Sequence, residues 1–345
     1  MKKHFSSIIA NDDLCSYFAS SIKTNSLSHA FILLGAKGTG KHTLARLVAA
    51  ALNCRDKHDN DATLPCLMCD SCKKIADDNS ADVIFISREK DRATLGVEAV
   101  RFIKESITFY PNDGEYKVYI IEDAHTMTVQ AQNALLLTLE EPPKYAVFIL
   151  LCENTESILE TIRSRAPILR MKTPSEDEAI DFIKQNHPSA RSFINNSPEE
   201  FKQIYLAANG SMGRILELVS SGEKKQVLQS RELTQKLIEA IANGTVARDF
   251  AEISTMFTQK RDERERVISQ LLEIQSALRD LVAIKKADNA KMMFFTSSDH
   301  AEELSYSFSL QRLSDIMQNA EKARIALLRN ANVKLTVMNF LGALI

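Results

Sequence analysis

The 345-residue sequence has no tryptophan, no low-complexity tract, no obvious internal repeat and only ten glycines. Repeat architectures are therefore disfavoured, and glycines that gather in one short stretch carry information. There is no excess of charge either: 43 Lys and Arg face 45 Asp and Glu, a formal net charge of −2. Without a global basic field the chain is not a free-standing, non-specific nucleic-acid binder, and any DNA contact must be local. No apolar run approaches the roughly 18–20 residues that span a bilayer, and the segment after Met1-Lys2-Lys3 turns polar too soon for a signal peptide. A cytoplasmic protein without membrane contact is the expectation. Six cysteines are too few for a disulfide scaffold of this length; Cys54, Cys66, Cys69 and Cys72 cluster while Cys15 and Cys152 stand alone, which favours metal over oxidation. What remains is ordinary soluble material, 45% hydrophobic and 26% charged, enough for two or three domains.

Short apolar runs at 31–34, 83–86, 118–121, 147–151 and 168–171 alternate with segments of helical periodicity. That is the pattern of a parallel sheet covered on both faces, so residues 1–173 read as an α/β domain. Ala131, Leu135 and Leu139, with Ala134 and Leu137 beside them, mark a helix that Pro142-Pro143 stops near 141. After Pro174 strand signals cease. Ser175-Glu176-Asp177-Glu178 and Ser197-Pro198-Glu199-Glu200 each read as a capping box, and Gly210 closes the second helix. A helical unit over 174–222 follows, with a hinge around 220–225. Val267, Leu271, Ile274, Leu278 and Leu281, spaced 4, 3, 4, 3, form one seam of a long helix whose other face carries Arg264, Glu265, Arg266, Arg279 and Asp280. Leu313, Ile316, Met317, Ala320, Ala323 and Leu327 repeat the idea, so 223–345 reads as a helical bundle.

Gly35-Ala36-Lys37-Gly38-Thr39-Gly40-Lys41 follows an apolar strand and precedes the helical run 44–52, the context that a phosphate-binding loop requires. Backbone N–H groups of the turn can surround phosphates, the helix N-terminus adds positive potential, and Lys41 can reach the terminal phosphates. The next position, where a Ser or Thr hydroxyl would hold Mg²⁺, is His42, a poor partner for a hard cation. Thr43 cannot replace it, because one residue along a helix turns the side chain by about 100°. The second half of the site is expected at the end of a buried strand, where 118–121 runs into Glu122-Asp123-Ala124-His125. The usual order, Asp for the metal and Glu for water, is reversed, so nucleotide binding is expected to survive while metal placement and hydrolysis weaken.

Cys54-x11-Cys66-x2-Cys69-x2-Cys72 offers four thiolates, the donor set of a closed, structural Zn²⁺ site in an insertion over 54–72. A ferredoxin-like reading asks for a further cysteine at 76, which is Ala76. Cys15 and Cys152 read as buried, apolar-like residues.

Ser28-His29-Ala30 before the loop, Glu122 to His125, Asn133-Ala134-Leu135-Leu136 leading to Leu139-Glu140-Glu141-Pro142-Pro143, Ser164-Arg165 and the terminal 330–335 run resemble an AAA+ clamp-loader subunit of bacterial DNA polymerase III. Within that family the likeness is nearest to the delta-prime type. The resemblance implies an α/β P-loop domain with a parallel sheet, a helical lid and an all-α collar. It also implies a hetero-pentameric ring with gamma/tau and delta subunits that uses ATP to place the sliding clamp on primer-template DNA. The four-cysteine insertion is a feature of both gamma/tau and delta-prime types. By the same likeness Arg165 is an arginine finger reaching ATP in a neighbouring subunit, although Ala166 stands where the family motif has cysteine. Asn154, with Thr155 competing, takes the sensor-one position. Gly213 stands where the motor's sensor-two arginine would be, which displaces Arg214 by one residue and weakens a role for it toward its own nucleotide. A chain ending at Ile345 is expected to lack the extension of tau, a test that short gamma forms also pass. The alternative is an active ATPase of gamma/tau type. A small-molecule P-loop kinase is disfavoured, because the helices from 175 onward end in a large bundle instead of an arginine-rich substrate lid.

Overall fold

A computed structural model describes residues 4–56, 64–89, 92–221, 223–257, 263–287 and 290–345. The Met1-Lys2-Lys3 start, residues 57–63 of the expected insertion and Gly222 at the expected lid boundary lie outside the described residues. The first part runs α1 (Asp12–Lys23), β1 (Ala30–Leu34), α2 (Lys41–Leu52), α3 (Asp70–Ala76), β2 (Val83–Ile86), α4 (Val97–Ser106), β3 (Lys117–Ile121), α5 (Val129–Glu140), β4 (Ala146–Cys152), α6 (Glu160–Arg163) and β5 (Ile168–Arg170). Among the described residues only helices follow: α7 (Glu176–Asn186), α8 (Pro188–Asn196), α9 (Pro198–Ala207), α10 (Met212–Ser220), α11 (Lys224–Ala242), α12 (Val246–Phe257), α13 (Glu263–Lys286), α14 (Ser298–Tyr306), α15 (Leu310–Leu328) and α16 (Val333–Gly342). None of them is long and apolar enough to cross a membrane.

The five apolar runs are the five strands, all parallel, in the order β2-β3-β4-β1-β5. Successive strand residues point to opposite faces, and here both faces are covered. Phe31, Leu33, Val118, Ile120, Val147, Ile149 and Leu151 join one apolar core. Their neighbours Ile32, Leu34, Tyr119, Ile121, Phe148, Leu150 and Cys152 join another. Such burial explains why the strands read as unbroken apolar runs without alternation. In register, Ile32 pairs with Leu150 and Ile120 with Ile149, so β1, β4 and β3 deliver their C-terminal ends to one edge of the sheet. On α5, Ala131, Leu135 and Leu139 are buried, whereas Leu137 is 68% exposed, as two residues of helical rotation from Leu135 demand.

The chain divides into two compact units, Met1–Phe182 with Ser211–Arg214, and Ile183–Gly210 with Ile215–Ile345. In the first, the Asn11 side chain closes the domain on itself, donating to the Lys172 carbonyl (3.0 Å) and accepting from the Lys172 N–H (2.9 Å). In the second, the α13 seam and the buried face of α15 belong to one core, with Met317 half-buried at its margin.

Two local expectations fail. Asp280 does not lie on a solvated face: it is 0% exposed and accepts hydrogen bonds from the N–H groups of Met293, Phe294 and Phe295. A carboxylate that satisfies three otherwise orphaned donors can be buried. Ser197 does not form a capping box. It ends α8 as well as starting α9, its N–H already donates to Phe193 O, and at ψ 63 its hydroxyl makes no cap bond. The box at Ser175 does form, with the Ser175 N–H donating to Glu178 (2.7 Å) and the Glu178 N–H to the Ser175 hydroxyl (3.3 Å). Pro198 opens α9, and the Gly210 N–H, at φ +71, returns to Tyr205 O.

Candidate nucleotide site and metal centre

The loop between β1 and α2 turns tightly because Gly38 (φ +79) and Gly40 (φ +96) take left-handed conformations that cost a side chain about 1–2 kcal/mol. Thr39 braces the turn from within, its hydroxyl donating to Ala36 O (2.8 Å). Gly40 is the N-cap of α2 and supplies no side-chain cap, which leaves the first-turn N–H groups of Lys41, His42 and Thr43 directed out of the helix. Lys41 is only 6% exposed, and its ammonium rests on Gly35 O and Ala36 O (2.8 Å to the latter). Burial lowers its pKa, against the opposing pull of Glu153, Asp123 and Cys152.

Beyond β3, Glu122 meets the phosphate loop through His42, whose Nδ1 lies 3.2 Å from Glu122 Oε1 with the side chains 53% and 28% exposed. Asp123 takes φ +45 and has the Arg88 guanidinium 3.8 Å away. Asn154 is exposed and Thr155 half-buried after β4. Arg165, just past α6, makes an ion pair with Glu140 (2.7 Å) and donates to Thr161 O (3.0 Å); among the described residues it has no bond to the loop of its own chain.

The segment 211–214 is packed against the tip of the phosphate loop. The Ser211 hydroxyl donates to Lys37 O (2.7 Å) and the Gly213 N–H to Gly38 O (2.9 Å). Backbone approaches backbone so closely that a Cβ on Gly213 would stand 2.9 Å from Gly38 Cα. Arg214 continues this segment, its N–H 3.5 Å from the Ser211 hydroxyl.

Two side chains position these groups: Gln132, which escapes sequence reasoning, and His29, which the sequence marks only through the Ser28-His29-Ala30 likeness. Gln132, 1% exposed, donates to Met127 O (3.1 Å) and Ser157 O (2.8 Å) and accepts from the Leu159 N–H (2.8 Å). It thereby ties the segment after Asp123 to the segment that carries Asn154 and leads into α6. Its place three residues before Leu135, on the buried stripe, was the available signal. His29 sits 3.1 Å from Leu139 O, pinning the end of α5 that presents Glu140.

At the other end of α2, Cys54, Cys66, Cys69 and Cys72 bring four sulfurs within 4.8 Å of one another. Cys66 and Cys72 sulfurs are 3.9 Å apart, close to the roughly 3.8 Å edge of a tetrahedron with Zn–S bonds of about 2.3 Å. The N–H groups of Met68 and Cys69 donate to the Cys66 sulfur, and that of Cys66 to the Cys54 sulfur. Burial pushes the Cys54 and Cys72 thiols up. It would push Cys69 up too, but hydrogen bonds from Arg55, Cys72 and Cys66 bring that thiol down to about 7. The donor set fits a soft divalent cation: with four soft ligands and no open position, such a metal would be structural. Cys15 and Cys152 are buried, as expected, and burial raises them to about 11 and about 12.

Residues 10–175 match the family model described as DNA polymerase III, delta subunit. The gamma subunit of DNA polymerase III from Buchnera aphidicola subsp. Schizaphis graminum is 35% identical over 218 residues, 62% of this chain and 57% of that protein. The tau/gamma subunit from Haemophilus influenzae is 32% identical over 239 residues, 68% of this chain and 33% of that protein. The chain is a relative of the AAA+ clamp-loader subunits of bacterial DNA polymerase III. It spans between about a third and three fifths of the length of these curated relatives. Among solved structures, a DNA polymerase III gamma subunit-related protein from Thermotoga maritima is similar with a TM-score of 0.42 at 17% identity, covering 95% of this chain and 98% of that one. In this clamp-loader relative, the phosphate loop, the Glu122-Asp123 strand end and the four-cysteine cluster all lie on the unit that bears the sheet.

Proposed function

We propose that this chain is a delta-prime-type subunit of the DNA polymerase III clamp loader. It buttresses a hetero-pentameric ring with gamma/tau and delta subunits, donates Arg165 to ATP held next door, and turns over little nucleotide itself. The observation that carries this reading is His42 Nδ1 standing 3.2 Å from Glu122 Oε1 in the place where a hydroxyl and a carboxylate would share a cation. Gly213 in the sensor-two position, pressed on Gly38, supports it. So does Arg165, which makes no bond to its own phosphate loop among the described residues and is held at its carboxylate partner Glu140. In this reading residues 1–173 form the P-loop domain with a structural zinc on Cys54, Cys66, Cys69 and Cys72, residues 174–222 the lid, and residues 223–345 the collar. Primer-template DNA and the sliding clamp are met through the assembled ring, by ring geometry and phosphate contacts instead of base reading.

The curated gamma and tau relatives favour a second reading, an active motor of gamma/tau type. Reconstitution separates the two. The purified chain is mixed with gamma/tau and delta subunits, and ATP hydrolysis is measured for the chain alone and for the ring. Entry into the ring with negligible turnover alone is the expected result. Brisk turnover by the isolated chain, abolished by Lys41→Ala, would establish the motor reading instead. Failure to enter any ring would remove both.

A further inference from the structure

The Mg²⁺ that accompanies nucleotide in this fold does not fit the residues present. Magnesium asks for near-octahedral oxygen ligation, yet the residue after Lys41 offers an imidazole, and its Nδ1 is already 3.2 Å from Glu122 Oε1. Asp123 has the Arg88 guanidinium beside it at 3.8 Å, and Thr43 is turned about 100° from the required direction. The phosphate-facing equipment is intact by contrast. Gly38 and Gly40 hold the turn, the first turn of α2 has no side-chain cap, and buried Lys41 rests on two neutral carbonyls, with no ion-pair partner among the described residues. Among the described residues Ser211 and Gly213 take up carbonyls of the loop, those of Lys37 and Gly38, while the N–H groups of Gly35 and Thr39 are used within the fold, by Cys152 O and Ala36 O.

From this disagreement we infer that the phosphate loop takes a nucleoside di- or triphosphate without a divalent cation. Lys41 and the α2 N-terminus offset the phosphate charge. The His42 ring stands 3.2 Å from Glu122 Oε1, between that carboxylate and the place a cation would take. Such a site retains nucleotide and does not hydrolyse it, since phosphoryl transfer depends on the metal. The inference rests on the nucleotide-site part of the reading above and deepens it.

Calorimetric titration of the full chain with ADP, once with excess Mg²⁺ and once with EDTA, tests it. The wild-type Kd is expected to change by less than about twofold, and Lys41→Ala to lose binding in both buffers. His42→Ser and His42→Thr, which supply a hydroxyl and free Glu122, are each expected to bind at least about tenfold more tightly with Mg²⁺ than with EDTA, a gain of about 1.4 kcal/mol. Three results would overturn the inference: a wild-type affinity at least about tenfold tighter with Mg²⁺, no ADP binding in either buffer, or folded His42 variants without a Mg²⁺ response. Ring entry, measured on the same preparations, keeps the two readings apart. Mg²⁺-dependent binding in a ring-competent chain removes this inference alone, whereas Mg²⁺-independent binding in a chain that joins no ring removes the subunit reading alone.

Discussion

The phosphate loop and the cysteine cluster stand at opposite ends of α2, Lys41 in its first turn and Cys54 just past its last, and they satisfy their chemistry to different degrees. The cysteine end has all four soft donors within 4.8 Å of one another. In the reading proposed above, the loop end keeps what an anion needs and offers little to a cation, with His42 Nδ1 3.2 Å from Glu122 Oε1. Three of the four sulfurs come from a single short stretch of chain, whereas the candidate nucleotide site draws on β1, β3 and the 211–214 segment. A site assembled from separate elements can lose one function at a single position and keep the rest.

If the chain serves a neighbour's ATP and not its own, Arg165→Ala should slow ATP hydrolysis at the adjacent site of a reconstituted ring by about 10³-fold or more with assembly intact. Unchanged turnover would remove the role of Arg165 in the neighbouring site. The cysteine end should matter for stability instead. Cys72→Ser, at a buried sulfur, is expected to eliminate bound zinc and to destabilise the sheet-bearing unit by about 4 kcal/mol or more. Elemental analysis and thermal melting check this, and a native chain without zinc would contradict it.

A smaller effect sharpens the loop end. Gly38→Ala combines a φ of +79 with a Cβ 2.4 Å from the Ser211 hydroxyl, and Gly213→Ala puts a Cβ 2.9 Å from Gly38 Cα. The former should cost about 2 kcal/mol in denaturant unfolding. The latter should also destabilise, even though Ala is the better helix former by about 1 kcal/mol; a stabilised variant would show that 211–214 does not press on the loop. The smallest signal is the contrast between lone and clustered thiols. Burial raises Cys15 to about 11 and Cys152 to about 12, so the folded state holds protons that the unfolded state releases above its thiol pKa near 9. Their contribution is complete below pH 9 and is lost as pH climbs toward 12. Accordingly, iodoacetamide at mildly alkaline pH should leave both unlabelled in the native chain and label them after unfolding.

The sheet was legible because its strands are buried on both faces: 31–34 and 147–151 are apolar at every position, which few other elements produce. The α13 seam was legible because a helix buried on one side repeats its apolar residues at 3.6-residue spacing. Asp280 was misread from the same periodicity. Its partners are N–H groups 13 to 15 residues downstream, and nothing in a helical wheel reports a loop folding back. Gln132 was missed for a related reason, since a polar residue on a buried stripe gains meaning only when the carbonyls it meets are known. Ser197 failed as a cap because two helices share it, and its backbone (ψ 63) is not the extended N-cap conformation that the capping residues Ser297 and Ser309 adopt.

Local order alone determined the strands, the helix periodicity, the glycine turn before Lys41 and the spacing of the four cysteines, because each depends on residues within one or two turns of chain. Tertiary structure alone decided that His42 would meet Glu122, that Arg165 would rest on Glu140 and that Gly213 would lie on Gly38. Those pairs are set by which strand ends the sheet order brings together and how closely two backbones can approach, and neither is a property of any single stretch of sequence.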